Sequence, residues 1–157
     1  MAAARTSLCR AGGLADQIPD GATVLMDTNP IIYPFEGHPL AVPFEPIFAA
    51  IDAGRIQALV TPVTLAEVVA GPLKATKEAL AERYRQALCA GNGWSLREID
   101  ADIAVLAARL RLRHRLRLPD AIQAAVAVHE GCHALVTHDR DFRGMTDLLV
   151  LGVDPPS

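Results

Sequence analysis

The chain predicts an α/β domain built on a largely parallel sheet. Three observations carry that prediction. Short apolar runs alternate with segments of helical periodicity along the chain. Pro, Asp and Gly stand where helices should start and stop. Aromatic residues make up only 4% of the chain against 51% hydrophobic residues, so the core must be aliphatic and Ala-rich, as suits helices packed on a sheet. The length of 157 residues is that of one ordinary domain with a real core.

Residues 1–20 are Gly/Ala-rich and weakly patterned, and are expected to be an N-terminal tail or extension with a short helical turn near Leu14–Ile18. The remainder, 21–157, is expected to be a single domain. "ATVLMD" (22–27) is an apolar run ending in a carboxylate and predicts the first strand. "TNPIIYPFEG" continues as a short helix or turn broken by Pro34 and Gly37. In 43–54, Phe44, Ile47, Phe48 and Ile51 recur at helical spacing before Gly54. "RIQALVT" (55–61) predicts the second strand. Pro62 suits a first helical position, and the helix it opens is expected to stop at Gly71-Pro72. Residues 75–91 form an amphipathic pattern, and "WSLREI" a short strand. Asp100 is a plausible N-cap for a helix marked by Ile103, Leu106, Leu110 and His114. The nearly all-apolar segment 119–131 predicts a buried helix. "HALVTHD" (133–139) and "DLLVLG" (147–152) predict the last strands.

The stretch "RLRLRHRLRLPDA" (109–121) alternates like a strand with one basic face. The helical spacing upstream runs straight into it, however. It therefore reads as a helix end with basic residues at the negative end of the dipole, a turn over 115–118, and Pro119 opening the next helix. Asp120 then falls in a first helical turn.

Charge and cysteine usage narrow the functions. A net charge of −3 argues against binding nucleic acid by bulk charge, but not against a local basic patch. Cys9, Cys89 and Cys132 are scattered, odd in number and without a CxxC, so they fit neither a disulfide framework nor a thiolate metal site. The four histidines from His114 onward share no metal-ligand spacing. No apolar run approaches the ~20 residues of a membrane span, and the first residues hold no signal-peptide core. A cytoplasmic protein without membrane contact is expected.

Four acids stand out by position. Asp27 and Asp139 end strands, Glu67 lies in the helix after the second strand, and Asp120 lies at the start of the buried helix. Open α/β sheets bind ligands at the carboxyl ends of their strands, where these acids converge. Each has a bland reading alone: an Asx turn for Asp27, a helix interior for Glu67, a dipole partner for Asp120, turn chemistry for Asp139. Gathered, they repel one another and stay ionised only around a cation. Oxygen-only ligands select Mg²⁺ or Mn²⁺, the chemistry of phosphodiester hydrolysis by an activated water.

"VLMDTNPIIY", "VTPVTLAEVV", "LRLPDAIQAA" and "ALVTHDRDF" resemble the four motif regions of PIN-domain ribonucleases, and within them the VapC toxins of toxin–antitoxin pairs. The resemblance covers about residues 22–150. It implies a three-layer α/β/α sandwich, a Mg²⁺ or Mn²⁺ site, endonucleolytic cleavage of RNA, a homodimer, and inhibition by a small antitoxin. Carried over by motif, Asp27, Glu67, Asp120 and Asp139 are the catalytic acids, with Asp27, Asp120 and Asp139 as metal ligands. Thr28, Asn29 and Thr137 fill supporting polar positions, and Asp141 is an extra acid in the last motif. Arg113, Arg115 and Arg117 are candidates for an RNA-facing rim, against the plainer reading of a solvated helix end.

The leading expectation is thus a metal-dependent endoribonuclease toxin, with Glu67 or Asp120 also able to take the water's proton. The alternatives are a PIN-like RNA-processing nuclease outside any toxin–antitoxin pair, an inactive PIN-like binding module, and a phosphoaspartate phosphatase or receiver using Asp27. The last is disfavoured by Asn29 two residues on, where a second Asp is wanted, and by the lack of a Lys after Lys77.

Overall fold

The computed structural model describes residues 12–154. Five strands, β1 (Thr23–Met26), β2 (Gln57–Val60), β3 (Trp94–Leu96), β4 (Ala134–Val136) and β5 (Leu149–Leu151), form one sheet in the order β3-β2-β1-β4-β5. Every neighbouring pair is parallel. Six helices surround it: α1 (Thr28–Phe35), α2 (Glu45–Asp52), α3 (Pro62–Lys74), α4 (Glu78–Ala90), α5 (Ala101–His114) and α6 (Leu118–His129).

Side-chain alternation along the strands makes the layers. Val24 and Met26 of β1, Ala58 and Val60 of β2, and Ala134 and Val136 of β4 face one core, packed with Ile31, Ile47, Ile51, Val68 and Leu88 from α1–α4. Leu25, Leu59 and Leu135 between them face the other, with Ile103, Ala107 and Leu110 of α5 and Ala121, Ala124 and Ala125 of α6. Each fully buried Leu, Ile or Phe contributes about 1.5–3 kcal/mol, so both faces need their helices. This is the three-layer α/β/α sandwich expected. The small alanines of α6 let it lie close against the sheet.

The helix starts follow local chemistry. Thr61 caps α3, its Oγ1 accepting the Thr64 N–H at 3.3 Å. Asp100 caps α5, its Oδ1 accepting the Ile103 N–H at 3.0 Å. Arg115 ends α5 in the left-handed region at φ 55°, and Leu116 turns inward, so the alternating Arg–Leu stretch is a helix end as expected. The turn is one residue shorter than 115–118, because Leu118 is already helical.

Three boundaries differ from expectation. Pro34 does not break α1, which runs on to Phe35. α3 does not stop at Gly71-Pro72 but runs to Lys74. A proline disfavours the helical conformation of the residue before it by pressing on that residue's Cβ, and Gly71 has none. The next helix starts at Glu78 rather than at Ala75, since Thr76 turns left-handed at φ 56°.

Of the expected N-terminal tail or extension, residues 1–11 lie outside the described residues. Leu14–Gln17 form a single 3₁₀ turn, and Ile18 behind it is buried in the α1–α4 core. Cys89 and Cys132 are half-buried and free, and burial pushes the Cys132 thiol up to about 11. Among the described residues, no helix is long and apolar enough to cross a membrane.

Candidate active site

The same alternation that sorts the core also builds the site. Leu25 pairs with Leu59, and Met26 pairs with Val136. The residues just beyond these strands, Asp27, Thr61 and Thr137, therefore stand side by side at the carboxyl edge, on the α5–α6 face. All three are buried polar residues, so each must find a partner.

Asp27 and Thr61 meet through Gln123 of α6, 1% exposed, and Thr137 bonds Asp27 directly. Gln123 Nε2 donates to Asp27 Oδ1 at 2.9 Å and to Thr64 Oγ1 at 2.6 Å. Its Oε1 accepts the Thr61 hydroxyl at 2.6 Å. Asp27 Oδ1 also accepts the Thr28 N–H at 2.8 Å, and Asp27 Oδ2 accepts the Thr137 hydroxyl at 2.7 Å. Thr137 Oγ1 in turn accepts the Asp139 N–H at 3.0 Å, and Asp139 Oδ1 accepts the Asp141 N–H at 2.9 Å. One chain of bonds thus runs from β2 through α6 and β1 to the acids after β4.

A cleft of about 320 Å³ opens above this network. Asp27, Glu67, Asp120 and Asp139, the four acids expected to act together, all line it, with Thr28, Asn29, Arg117 and Gln123. Asp120, Asp139 and Asp141 each offer an oxygen within 4.8 Å of the others. Asp141 thus joins this trio, while Asp27 and Glu67 line the same cleft outside it.

The electrostatics are those of crowded acids. Burial raises the Asp120 carboxyl to about 6, helped by the charges of Asp139, Asp27 and Asp141 and opposed by Arg117. Glu67 is raised by burial and then by Asp27, against a smaller opposing effect of the Thr28 hydroxyl. Asp120 Oδ2 is a buried oxygen without a hydrogen-bond partner. The nearest cation, Arg117 Nε, is 4.0 Å away. A hard divalent cation fits this donor set: several carboxylates converge, one buried oxygen accepts no hydrogen bond, and among the described residues no histidine or cysteine lines the cleft.

The arginines divide. Arg117 lines the cleft and lies 3.8 Å from Asp141. Arg115 is exposed at the helix end. Arg113 bonds Asp147 at 2.8 Å, and His114 bonds the same carboxylate, which holds Asp147 below the usual carboxylate range. Asp147 thus ties the end of α5 to the loop before β5. His138 is engaged elsewhere as well, its Nδ1 lying 2.8 Å from the Tyr33 hydroxyl.

Sequence reasoning missed Gln123 and Thr61. The available signal was a lone amide in an Ala-rich apolar helix, one turn past Asp120.

The family model for the PIN domain matches residues 24–148. Among solved structures, a toxin–antitoxin complex from Klebsiella pneumoniae is 30% identical, with a TM-score of 0.63 over 80% of this chain and 95% of that one. VapBC-5 of Mycobacterium tuberculosis, from the VapBC family of toxin–antitoxin systems, is 25% identical, with a TM-score of 0.53 over 82% and 97%. VapC20 of Mycobacterium tuberculosis, a toxin that cleaves the sarcin–ricin loop, shares the fold at 17% identity, with a TM-score of 0.60 over 76% and 92%. No curated protein matches the chain.

Proposed function

The chain belongs to the PIN-domain family, and from that footing we propose that it is a Mg²⁺- or Mn²⁺-dependent endoribonuclease, the toxin of a toxin–antitoxin pair. The observation that carries the reading is the buried Asp120 oxygen that accepts no hydrogen bond, in a cleft of converging carboxylates. Asp120, Asp139 and Asp141 would hold the ion, with Asp27 reaching it from the end of β1. When bound, the ion would offset the charge of the scissile phosphate and acidify the attacking water.

The chain's own residues supply the rest. Glu67, raised by burial and lining the cleft from α3, would take the proton that the water loses. Arg117 adds a cation at the mouth for a phosphate oxygen, and the exposed Asn29 adds amide donors for phosphate or ribose. Thr137 and Gln123 fix the Asp27 carboxylate from both sides, so it need not reorganise during reaction.

The partner part of the reading rests on the toxin–antitoxin titles of similar structures. An apolar groove of about 330 Å³ between α1, α3 and α4, lined by Ile32, Phe35, Val68, Leu80 and Tyr84, also reaches Glu67, so a small antitoxin seated there would meet the cleft. A homodimer acting on cytoplasmic RNA completes the proposal.

Labelled total RNA incubated with the purified protein tests it. Cleavage should need Mg²⁺ or Mn²⁺, stop with EDTA, and vanish in Asp27→Asn. Wild-type protein that cuts nothing with any divalent ion, or Asp27→Asn that cuts equally well, overturns the mechanism. If the toxin part is right, expression should arrest growth, and a small reading frame just upstream, where present, should encode a protein that relieves the arrest on coexpression.

A further inference from the structure

Gln123 does more than fill space beneath the cleft. A carboxylate oxygen has two lone pairs. On Asp27, both lone pairs of Oδ1 are taken, by the Thr28 N–H at 2.8 Å and by Gln123 Nε2 at 2.9 Å. One lone pair of Oδ2 is taken, by the Thr137 hydroxyl at 2.7 Å. One acceptor position remains on the whole carboxylate, and it is on Oδ2.

The direction of the Gln123 amide is not free. Reversed, it would set Oε1 against the Asp27 carboxylate, acceptor against acceptor. The Thr61 hydroxyl, donating to Oε1 at 2.6 Å, holds it the right way round. Both amide hydrogens are used, one on Asp27 and one on Thr64 Oγ1. With the side chain 1% exposed, water cannot replace it.

We propose that Gln123 is a positioning residue that sets cation preference: by occupying Asp27 Oδ1 it leaves the carboxylate able to offer a cation one oxygen and not two. This rests on the metal-dependent reading above. Mg²⁺ takes single oxygens in a strict octahedron, whereas the larger Ca²⁺ accepts bidentate carboxylates in looser shells. A carboxylate limited to one oxygen therefore favours the smaller ion. Freed from Gln123, Asp27 can turn both oxygens to the cleft, and the advantage of the smaller ion shrinks.

Isothermal titration of the full chain with Mg²⁺, Mn²⁺ and Ca²⁺ alone, without RNA, reads this directly. Gln123→Met keeps the length of the side chain and loses the amide. Its preference for Mg²⁺ over Ca²⁺ should fall about tenfold relative to wild type, within the usual effect of removing a partner of a metal ligand. Thr64→Val removes the other acceptor of the amide but leaves the donor on Asp27, and should keep the wild-type preference. If Gln123→Met does not fold, as judged by circular dichroism, Gln123→Leu carries the same test in an already apolar helix. An unchanged preference in the folded variant overturns the inference and leaves the nuclease reading standing. A preference that shifts equally in Thr64→Val also overturns it, since general loosening would then explain the change. Wild-type protein that binds no divalent ion overturns the nuclease reading and this inference together.

Discussion

Thr137 Oγ1 donates to Asp27 Oδ2 at 2.7 Å and accepts the Asp139 N–H at 3.0 Å, so one hydroxyl fixes an acid on each of two adjacent strand ends. Thr137 is fully buried, with no water to stand in for it. Thr137→Val, nearly the same shape, should lower divalent affinity about 10–100-fold, as loss of a partner of a metal ligand does. Titration calorimetry on the folded variant checks this. Unchanged affinity would mean that Asp27 is held by its other partners.

Asp120 gives a pH dependence with a definite sign. Its folded value of about 6 lies above its ordinary one, so the folded state favours the protonated acid. Stability of the metal-free protein is therefore full below about pH 4 as far as this group is concerned, and falls between about pH 4 and 6. The loss should be about 1–2 kcal/mol once solvent screening is allowed for. Asp120→Asn should abolish that part of the slope and raise the melting temperature at pH 7 in EDTA. Melting curves against pH for both proteins decide it. Equal slopes would remove the burial and repulsion argument.

Arg117 and Arg113 should behave differently. Arg117 lines the cleft, whereas Arg113 is bonded to Asp147. Arg117→Ala should weaken RNA binding and reduce the salt slope by about one phosphate contact. Arg113→Ala should leave both nearly unchanged. Filter binding of RNA to Asp27→Asn protein at several salt concentrations measures both.

Asp100 caps α5, is not among the residues lining the cleft, and also bonds Arg97, which reaches Glu130 after α6. Asp100→Ala should cost about 1 kcal/mol for the lost cap and leave RNA cleavage unchanged. Urea denaturation alongside a cleavage assay separates the two readouts.

Gly152 follows β5 at φ +101°, and a Cβ there would meet the Thr137 carbonyl oxygen at 2.2 Å and the Phe44 ring at 2.7 Å. Gly152→Ala should destabilise the protein by about 2–4 kcal/mol, through backbone strain plus the clash. Cleavage should fall even at low temperature, because Thr137 must shift. A variant as stable and active as wild type would show that the turn after β5 yields freely.

The sequence made legible whatever depended on neighbours along the chain. Apolar runs entering carboxylates marked β1 and the end of β4, Pro62 marked the start of α3, and Asp100 marked α5. The helix end in the Arg–Leu stretch was legible because Ile103, Leu106 and Leu110 set its phase. The end of α3 was not, because Gly-Pro reads as a stop unless the glycine's missing side chain is weighed. Gln123 was invisible for a different reason. Its partners lie 59, 62 and 96 residues away, and no local pattern marks an amide whose task is set by strand register. Asp141 was legible as an extra acid, but its closeness to Asp120 was not, because it depends on the 3₁₀ turn Arg140–Phe142, whose Phe142 is buried in the α5–α6 core.

Core and cleft share a single odd-and-even count along β1, β2 and β4. Deleting or inserting one residue within any of these strands would exchange their two faces, sending leucine where polar groups meet and a polar group into the aliphatic layer. A frame slip inside a strand thus cannot yield a stable protein with a faulty cleft; it damages both at once. Changes of loop length at the opposite, amino-terminal edge, such as between Gly131 and His133, leave the count intact. Natural variation in chain length should therefore collect at that edge, and a chain that has folded at all has already set its acids in step.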